Sequence, residues 1–268
     1  MEVDHAVERV LTALKARQLY DNTLVLFASD HGAAPYAGNI LKATPGQMRL
    51  LEKQGHYCSG PYRGYKFSVY EGGLRVPLIA HWPGVIKPGG RSDALVGLCD
   101  LMATFAELSR TTLAGDAAPD SISFANLLRN PLAKGTRQNL VMQSVGPFVV
   151  RDGHWKLCIC PGSGSNGKYG NEPKLGDAWP DALEKFGQVQ KWDDLNQAPF
   201  VQLFNLTTDP HEDHNLAGKH PGQVAGMIAL LREQIHQGRS TPGSRLDNGR
   251  ESISIHQRVP DYVRSQLR

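Results

Sequence analysis

The sequence predicts an α/β domain followed by a smaller α+β unit in which an antiparallel sheet packs on a helix. Apolar residues recur at helical spacing over residues 2–17, and a short continuous apolar run, residues 23–28, follows Asp21 and Asn22. A helix, a turn and a buried strand make half of a β-α-β repeat. After about residue 138 the pattern changes to short strands and then one helix, which is typical of an α+β unit.

The first part of the chain contains two strand candidates and further helices. Residues 23–28 suit a strand that is buried on both faces, as in a parallel sheet. A second apolar run, residues 76–82, ends at a Pro-Gly pair. Residues 95–108 carry apolar side chains at helical spacing, and Ser123 could cap a short helix that runs through Leu128. These elements predict an α/β domain over residues 1–137.

Four strands and one helix are predicted after residue 137. The strand candidates lie at residues 140–142, 148–151, 154–159 and 202–206, and Asp152-Gly153 between the middle two is a strong hairpin signal. Apolar residues at helical spacing between 224 and 235 predict the helix. We expect a small domain at residues 138–240, a surface loop over residues 161–199, and a polar tail at residues 241–268.

Composition excludes several classes of protein. A formal net charge of +3, from 29 basic and 26 acidic residues, is too small and too mixed for binding to nucleic acid or an anionic membrane. No apolar run approaches the ~18 residues of a transmembrane helix, and residues 1–5 lack the apolar segment of a signal peptide. The four cysteines do not form the two close pairs of a structural zinc site, so we expect buried, reduced thiols: Cys58, Cys99, Cys158 and Cys160.

The sharpest local feature is Ser29-Asp30-His31-Gly32, which directly follows the strand candidate at residues 23–28. In open parallel sheets, ligands bind beyond the carboxyl ends of the strands. A carboxylate at Asp30 is a hard oxygen ligand that suits Ca²⁺ or Mg²⁺. Asp30 could instead cap the following turn, and the local sequence leaves both interpretations open.

The second feature is the segment at residues 64–77, which mixes aromatic residues, glycines and charges. Lys66 offers a compact positive charge to an anionic substrate. Gly72-Gly73 predicts a tight or positive-φ backbone. Arg75 could pair with Glu71 as a structural clamp. On its own, the segment predicts no more than an anion site.

Together these segments resemble the sulfatase family of the alkaline-phosphatase superfamily. The resemblance runs in the family's order from residue 1 to about residue 236, and it ends on the D-P-x-E-x-x-N-L signature at residues 209–216. It implies an alkaline-phosphatase-like mixed sheet flanked by helices, with residues 1–137 as the C-terminal portion of the catalytic domain. The matching segments include Asp21-Asn22-Thr23-Leu24-Val25, Arg63-Gly64-Tyr65-Lys66, Glu71-Gly72-Gly73-Leu74-Arg75-Val76-Pro77, His81-Trp82-Pro83-Gly84, Val150-Arg151-Asp152-Gly153-His154-Trp155-Lys156-Leu157 and Leu203-Phe204-Asn205-Leu206.

The resemblance implies roles for individual residues. Asp30 and His31 would be two ligands of a divalent cation, Ca²⁺ or Mg²⁺, with the ligand set incomplete in this chain. Lys66 would bind the sulfate and stabilise the leaving oxygen, which makes it a catalytic residue. His31 stands where the family more often has Asn, and imidazole is a poorer Ca²⁺ ligand than an amide oxygen. His31 is therefore also a candidate for direct catalytic contact with the sulfate.

Other residues near Lys66 divide into pocket and scaffold. His56 and Arg63 precede Lys66 and are expected to bind the substrate. Glu71, the two glycines after it and Arg75 are expected to be scaffold. The segment at residues 151–156 is expected to be hairpin structure and not part of the site.

The family's nucleophile is not found in this chain. Family members use a cysteine or serine in C/S-x-P/A-S/T-R, which is converted to formylglycine, and none of the four cysteines begins that motif. The paired aspartates that complete the family's metal site are not found either. We expect that the chain alone does not hydrolyse sulfate esters, because it supplies no nucleophile.

Three interpretations stay open. The chain could be the C-terminal portion of a sulfatase, a phosphate or phosphonate ester hydrolase of the same superfamily, or a non-catalytic module that binds a sulfated ligand. The D-P-x-E-x-x-N-L signature favours a sulfatase, whose partners would be a sulfated small molecule or glycan and the missing N-terminal segment. A full-length member would be periplasmic, secreted or lysosomal. The incomplete sheet predicts an exposed edge and poor solubility.

Overall fold

The structure is a computed structural model that describes residues 2–34, 51, 54–144, 146–164, 200–250 and 252–256. The chain divides into two compact units: unit 1 is Met1–Ser29 with Pro77–Arg137, and unit 2 is Asp30–Val76 with Gln138–Arg268. The surface loop expected at residues 161–199 lies outside the described residues from 165 onward, as does the end of the polar tail.

The predicted helices and strands are present in the predicted order, and the short helix at Glu71–Leu74 was not predicted. The helices are α1 (Glu2–Ala16), α2 (Glu71–Leu74), α3 (Leu101–Leu108), α4 (Ala125–Arg129) and α5 (Pro221–Gln237). The strands are β1 (Val25–Ala28), β2 (Leu78–His81), β3 (Asn139–Gln143), β4 (Phe148–Asp152), β5 (Trp155–Cys158) and β6 (Gln202–Asn205).

In unit 1, β1 and β2 form a two-stranded antiparallel pair, with Val25 opposite His81 and Ala28 opposite Leu78. This pairing corrects the expectation of a parallel sheet at residues 23–28. A continuous apolar run indicates burial and says nothing about strand direction. Even the expected burial is incomplete, because β1 is half-buried along most of its length and exposed at Ala28.

The helices of unit 1 differ in how far they are buried. The apolar stripe of α1 contains no buried residue, and Val3 and Val10 are more than half exposed. At the start of α4, the Ser123 hydroxyl accepts a hydrogen bond from the Ala125 N–H at 3.2 Å. The helix nevertheless has Phe124 at its N-cap and no side-chain capping hydrogen bond, so the capping role predicted for Ser123 is wrong: Ser123 lies one residue before the N-cap. The core of the unit is formed by Phe124, Leu127 and Leu128, packed against partly buried residues that include Leu24, Leu78, Val96 and Leu101.

A buried ion pair lies in unit 1. The Asp100 carboxylate pairs with Arg137 and also accepts hydrogen bonds from the Gly97 and Ile122 N–H groups, each at 2.8 Å. Both charged side chains are almost fully buried. The pair joins the turn before α3 to the end of the unit.

Unit 2 is built on a four-stranded antiparallel sheet with the order β3-β4-β5-β6. The predicted hairpin is confirmed: β4 and β5 pair with Asp152 opposite Trp155, and Gly153 in the turn has a φ of 55°. Gly tolerates this left-handed conformation because it has no Cβ.

Both faces of this sheet are covered. One face packs against α5 and includes Val150, Leu157, Ile159 and Leu203, with Met227 and Leu231 from the helix. The opposite face packs against Val69 and Tyr70 and includes Val149, Cys158, Cys160 and Phe204. Strand residues alternate between the faces, so Lys156 lies on the same face as Cys158. The segment at residues 63–75 therefore packs on the sheet opposite the helix.

The sequence predicted that all four cysteines are buried, but only two of them are. Cys158 and Cys160 are buried, on the one face that the C-x-C spacing predicts. Cys58 and Cys99 are exposed, which corrects the expectation for those two. None of the four forms a disulfide. Within the part of the chain that the structure describes, no helix is long and apolar enough to cross a membrane.

Candidate active site

Asp30 and His31 form the first part of the candidate site, and Asp30 lies two residues beyond the end of β1. The Asp30 carboxylate is 81% exposed, and its Oδ2 lies 3.0 Å from His31 Nε2. Among the described residues, its recorded contact is this one, and none caps the turn. The Asp30 carboxylate is therefore accessible to solvent, and its described contacts give no support to the capping alternative, while metal binding stays a prediction.

The two ring nitrogens of His31 both face oxygen atoms. Nδ1 lies 2.9 Å from the Gly32 carbonyl oxygen, and Nε2 faces the Asp30 carboxylate. A carbonyl oxygen only accepts hydrogen bonds, so Nδ1 is the donor and carries a proton. Both ring nitrogens are thus engaged with oxygen atoms of the same turn.

The hard oxygen of Asp30 fits a Ca²⁺ or Mg²⁺ ligand by its chemistry. His31 fits less well in the arrangement shown. Within the described residues, no group of three or more His, Cys, Asp or Glu side chains is placed to hold a metal. The cation and its ligand set stay predictions.

Lys66 is the second part of the candidate site. It is half-buried, and its ammonium lies 5.2 Å from the centre of the Phe67 ring, within cation–π range. Phe67 has a φ of 76°, a left-handed conformation that costs a bulky residue about 1–3 kcal/mol. Such strain persists where the surrounding structure fixes the backbone, and it is concentrated at functional sites.

Backbone hydrogen bonds bring the two parts together. The Lys66 N–H donates to the Ala33 carbonyl at 3.0 Å, three residues after Asp30. The Gly32 N–H donates to the Gly73 carbonyl at 3.0 Å. The turn at residues 30–33 is thus attached both to the Lys66 segment and to the end of α2.

Glycines make this close approach possible. A Cβ on Gly32 would overlap the carbonyl oxygen of Gly72, and a Cβ on Gly72 would lie 2.6 Å from the Arg63 carbonyl oxygen. Both neighbours are backbone atoms, which cannot move aside as a flexible side chain can. The Gly72-Gly73 prediction of tight backbone is confirmed, and Gly32 obeys the same constraint.

The two expected substrate-binding residues lie in different environments. His56 is exposed, and its N–H donates to the Leu51 carbonyl at 2.9 Å. Arg63 is buried, its guanidinium lies 4.2 Å from the centre of the Tyr70 ring, and it donates to the Glu212 carbonyl at 3.0 Å. Contact with substrate stays a prediction for both residues, and the contacts of Arg63 give it a structural role in addition.

Glu71 is scaffold, as the sequence predicts. Its buried carboxylate accepts a hydrogen bond from Lys156 at 2.9 Å and lies 3.5 Å from Arg151 and 3.7 Å from Arg75. The predicted Glu71–Arg75 clamp is confirmed. Burial acts to raise the pKa of Glu71, but the charges of Lys156 and Arg151 outweigh it and hold that pKa below its usual value.

Lys156 and Glu212 complete a buried charge cluster that the sequence did not single out. Both side chains are 0% exposed, and their charged atoms lie 2.8 Å apart. Burial acts to lower the pKa of Lys156, but the carboxylates of Glu212 and Glu71 raise it above its usual value. Burial raises the pKa of Glu212, and the nearby ammonium of Lys156 offsets only part of that rise. The sequence contains one indication of this cluster, since Lys156 falls on an inward-facing position of the strand candidate at residues 154–159.

The described geometry is matched by known proteins. A family model for sulfatases matches residues 1–111. An N-acetylgalactosamine-6-O-sulfatase of Bacteroides thetaiotaomicron is 32% identical over 86% of this chain, and human arylsulfatase A is 28% identical over 87%. The chain spans about two fifths of the length of these curated relatives, 40% of the first and 41% of the second.

Solved structures agree with the sequence relatives. One, from work on glycosaminoglycan metabolism by Bacteroides thetaiotaomicron, superposes with a TM-score of 0.67 at 28% identity and covers 86% of this chain and 42% of its own. A Pseudoalteromonas sulfatase superposes with a TM-score of 0.59 at 21% identity, covers 87% of this chain and 41% of its own, and supports the fold alone. The predicted fold class, an alkaline-phosphatase-like α/β fold with a smaller antiparallel sheet packed on a helix, is confirmed. Every strand pair among the described residues is antiparallel, so the mixed sheet stays a prediction. Together these matches support the assignment of the chain as a sulfatase family member.

Proposed function

We propose that this chain supplies the cation-binding and sulfate-binding part of a sulfuric ester hydrolase. The observation that carries the proposal is the pair of backbone hydrogen bonds from Gly32 to Gly73 and from Lys66 to Ala33. They join a solvent-exposed carboxylate turn to a half-buried lysine. A cation ligand and a positive charge on two connected segments suit an ester whose oxygens carry negative charge.

The proposed roles follow from the chemistry of each group. Asp30 would hold a divalent cation, which when bound polarises the oxygens of the sulfate group. Lys66 would place its ammonium against the sulfate and offset the charge that develops on the leaving oxygen. His31 would orient Asp30, and contact of its ring with the sulfate would replace one of its two present contacts. His56 would lie at the exposed margin of the pocket.

A sulfated small molecule or glycan is the substrate class we propose. The support for a glycan is the 32% identical relative, which is an N-acetylgalactosamine-6-O-sulfatase. We also propose that the 268-residue chain alone does not turn over sulfate esters. None of its four cysteines begins the C/S-x-P/A-S/T-R motif that yields the family's nucleophile.

Equilibrium dialysis with radiolabelled sulfate in the presence of Ca²⁺ tests the binding role. Lys66→Ala removes a charge-assisted contact, and we expect sulfate affinity to fall by about tenfold or more. Asp30→Asn should remove the dependence of sulfate binding on Ca²⁺. Lys219→Ala, which deletes an exposed lysine outside the site, is the matched control and should leave affinity unchanged.

Two outcomes would contradict the proposal. Equal sulfate affinity in the unaltered chain and in Lys66→Ala would remove the sulfate-binding role. Stronger saturable binding of phosphate than of sulfate would favour a phosphate ester hydrolase. Separately, turnover of 4-nitrophenyl sulfate by the purified chain would overturn its proposed inactivity.

A further inference from the structure

Glu212 connects two parts of unit 2 that are distant in the sequence. Its Oε1 lies 2.8 Å from Lys156 Nζ on strand β5, and its Oε2 accepts a hydrogen bond from the Glu71 N–H at 2.6 Å. Its backbone carbonyl accepts a third contact, from Arg63 at 3.0 Å. The side chain is 0% exposed. One buried residue therefore holds both ends of the segment from 63 to 71, which contains Lys66.

Glu212 has an unusual backbone conformation. Its φ is 63°, a left-handed value that few residues other than Gly, Asn and Asp adopt readily. A charged side chain placed without solvent access is costly unless it is paired. Here the pairing is with Lys156, which lies on the same sheet face as Cys158 and beneath the 63–75 segment.

The connection continues from α2 to the candidate site. Glu71 begins α2, and the next residue, Gly72, donates its N–H to the Arg63 carbonyl at 2.7 Å. Gly73 then accepts the Gly32 N–H. Because backbone atoms are packed at the limit of close approach at Gly32 and Gly72, a displacement of α2 must move the turn at residues 30–33.

We propose that Glu212 is a positioning residue for the sulfate-binding site, because its buried carboxylate fixes the start of α2 and, through α2, the spacing between Lys66 and the Asp30 turn. This inference rests on the proposed function for the identity of the ligand. It does not rest on that function for the mechanical connection. It assigns a role to the glutamate of the D-P-x-E-x-x-N-L signature that needs no contact with substrate.

Amide hydrogen exchange, measured residue by residue on the full chain, tests the connection directly. Glu212→Ala removes the acceptor for the Glu71 N–H, whereas Glu212→Gln keeps an oxygen in its place. We expect the amides of Gly32, Lys66 and Gly72 to exchange about tenfold faster or more in Glu212→Ala, relative to the change at the sheet amides of Val150 and Leu157. Glu212→Gln should raise all five rates together.

Asp100→Asn is the matched control for loss of a buried charge. It breaks the Arg137 ion pair of unit 1 and should leave the relative exchange of the three site amides unchanged. The proposal is overturned if Glu212→Ala accelerates the site amides no more than the sheet amides, or if the Ala and Gln variants behave alike.

Sulfate dialysis on the same variants connects the positioning to the ligand. We expect sulfate affinity to fall by about tenfold in Glu212→Ala and by less than about threefold in Glu212→Gln, at a temperature at which both are folded. Equal affinity in all three proteins would overturn the proposal. If the unaltered chain binds no sulfate, the proposed function fails, while the exchange comparison still decides the positioning role.

Discussion

Replacing Lys156 with Met tests how the buried charge cluster stabilises unit 2. Met keeps a long apolar stem in a fully buried position, so the change removes the ammonium with little loss of packing. Glu71 retains Arg151 and Arg75 nearby, at 3.5 and 3.7 Å. Glu212 is left buried without the ammonium that lies 2.8 Å away in the unaltered protein. The cost of the substitution is therefore concentrated on Glu212.

The expected loss of stability depends on whether Glu212 can take up a proton. Removing one partner of a buried ion pair costs about 3–5 kcal/mol. Burial already raises the pKa of Glu212, so the carboxylate can take up a proton once Lys156 is lost, which limits the penalty. We expect the free energy of unfolding to fall by about 3–4 kcal/mol at pH 7, and by less at pH 5. This is a large part of the ~5–15 kcal/mol that stabilises a typical domain.

Urea unfolding followed by circular dichroism measures the effect. The double variant Lys156→Met/Glu212→Gln removes both charges of the pair and should recover about 1–3 kcal/mol relative to the sum of the single changes. Lys219→Met, on an exposed lysine, should stay within about 0.5 kcal/mol of the unaltered chain. A fall in the free energy of unfolding of less than about 1 kcal/mol in Lys156→Met, or single changes that simply add, would show that the Lys156–Glu212 pair does not stabilise unit 2.

Three further predictions concern the same scaffold. Gly32→Ala should destabilise the chain, because the added Cβ would overlap a backbone oxygen. Gly226→Ala, in open space within α5, should stabilise it by about 0.5–1 kcal/mol. Thermal unfolding measures both variants, and equal shifts of their Tm would contradict the close packing at Gly32. The pKa of Glu71 is lower in the folded state than its ordinary value of 4.5. The ionised Glu71 carboxylate therefore stabilises the fold above pH 4.5, and this contribution is lost as pH falls through the folded-state pKa. The difference in free energy of unfolding between the unaltered chain and Glu71→Gln should accordingly shrink from about pH 6 to about pH 3. The pKa of Glu212 is higher in the folded state than its ordinary value of 4.5. The free energy of unfolding of the unaltered chain, relative to that of Glu212→Gln, should therefore fall as pH rises from below 4.5 through the folded-state pKa. The same dependence on pH for the Glu71 and Glu212 comparisons would contradict the two opposite pKa shifts.

Much of the fold could be predicted from residue patterns. The hairpin around Asp152-Gly153 and the helix after Pro221 are where the sequence places them. Alternation along a strand correctly put Cys158 and Cys160 on one face. The antiparallel partner of β1 could not be predicted, because strand direction depends on a pairing some fifty residues away and an apolar run does not encode it.

The candidate site was predicted unevenly. Asp30 and Lys66 could be identified as chemistry-bearing residues, and Gly72-Gly73 as tight backbone, whereas the close approach at Gly32 was not predicted. The cluster of Lys156 with Glu71 and Glu212 could not, because its members lie 56 to 141 residues apart in pairwise separation and meet only through the sheet. Arg63 was expected in the pocket, yet its stacking on Tyr70 depends on tertiary contacts that the local sequence does not report.

The most direct test of a single sulfate site is a sulfate titration of the isotopically labelled chain, followed by amide chemical shifts in the presence of Ca²⁺. We expect the amides of residues 30–33 and of residues 64–67 to shift together and to saturate with one dissociation constant, and we expect Lys66→Ala to abolish both responses. Two different dissociation constants for the two segments, or shifts confined to exposed lysines elsewhere, would rule out a single sulfate site.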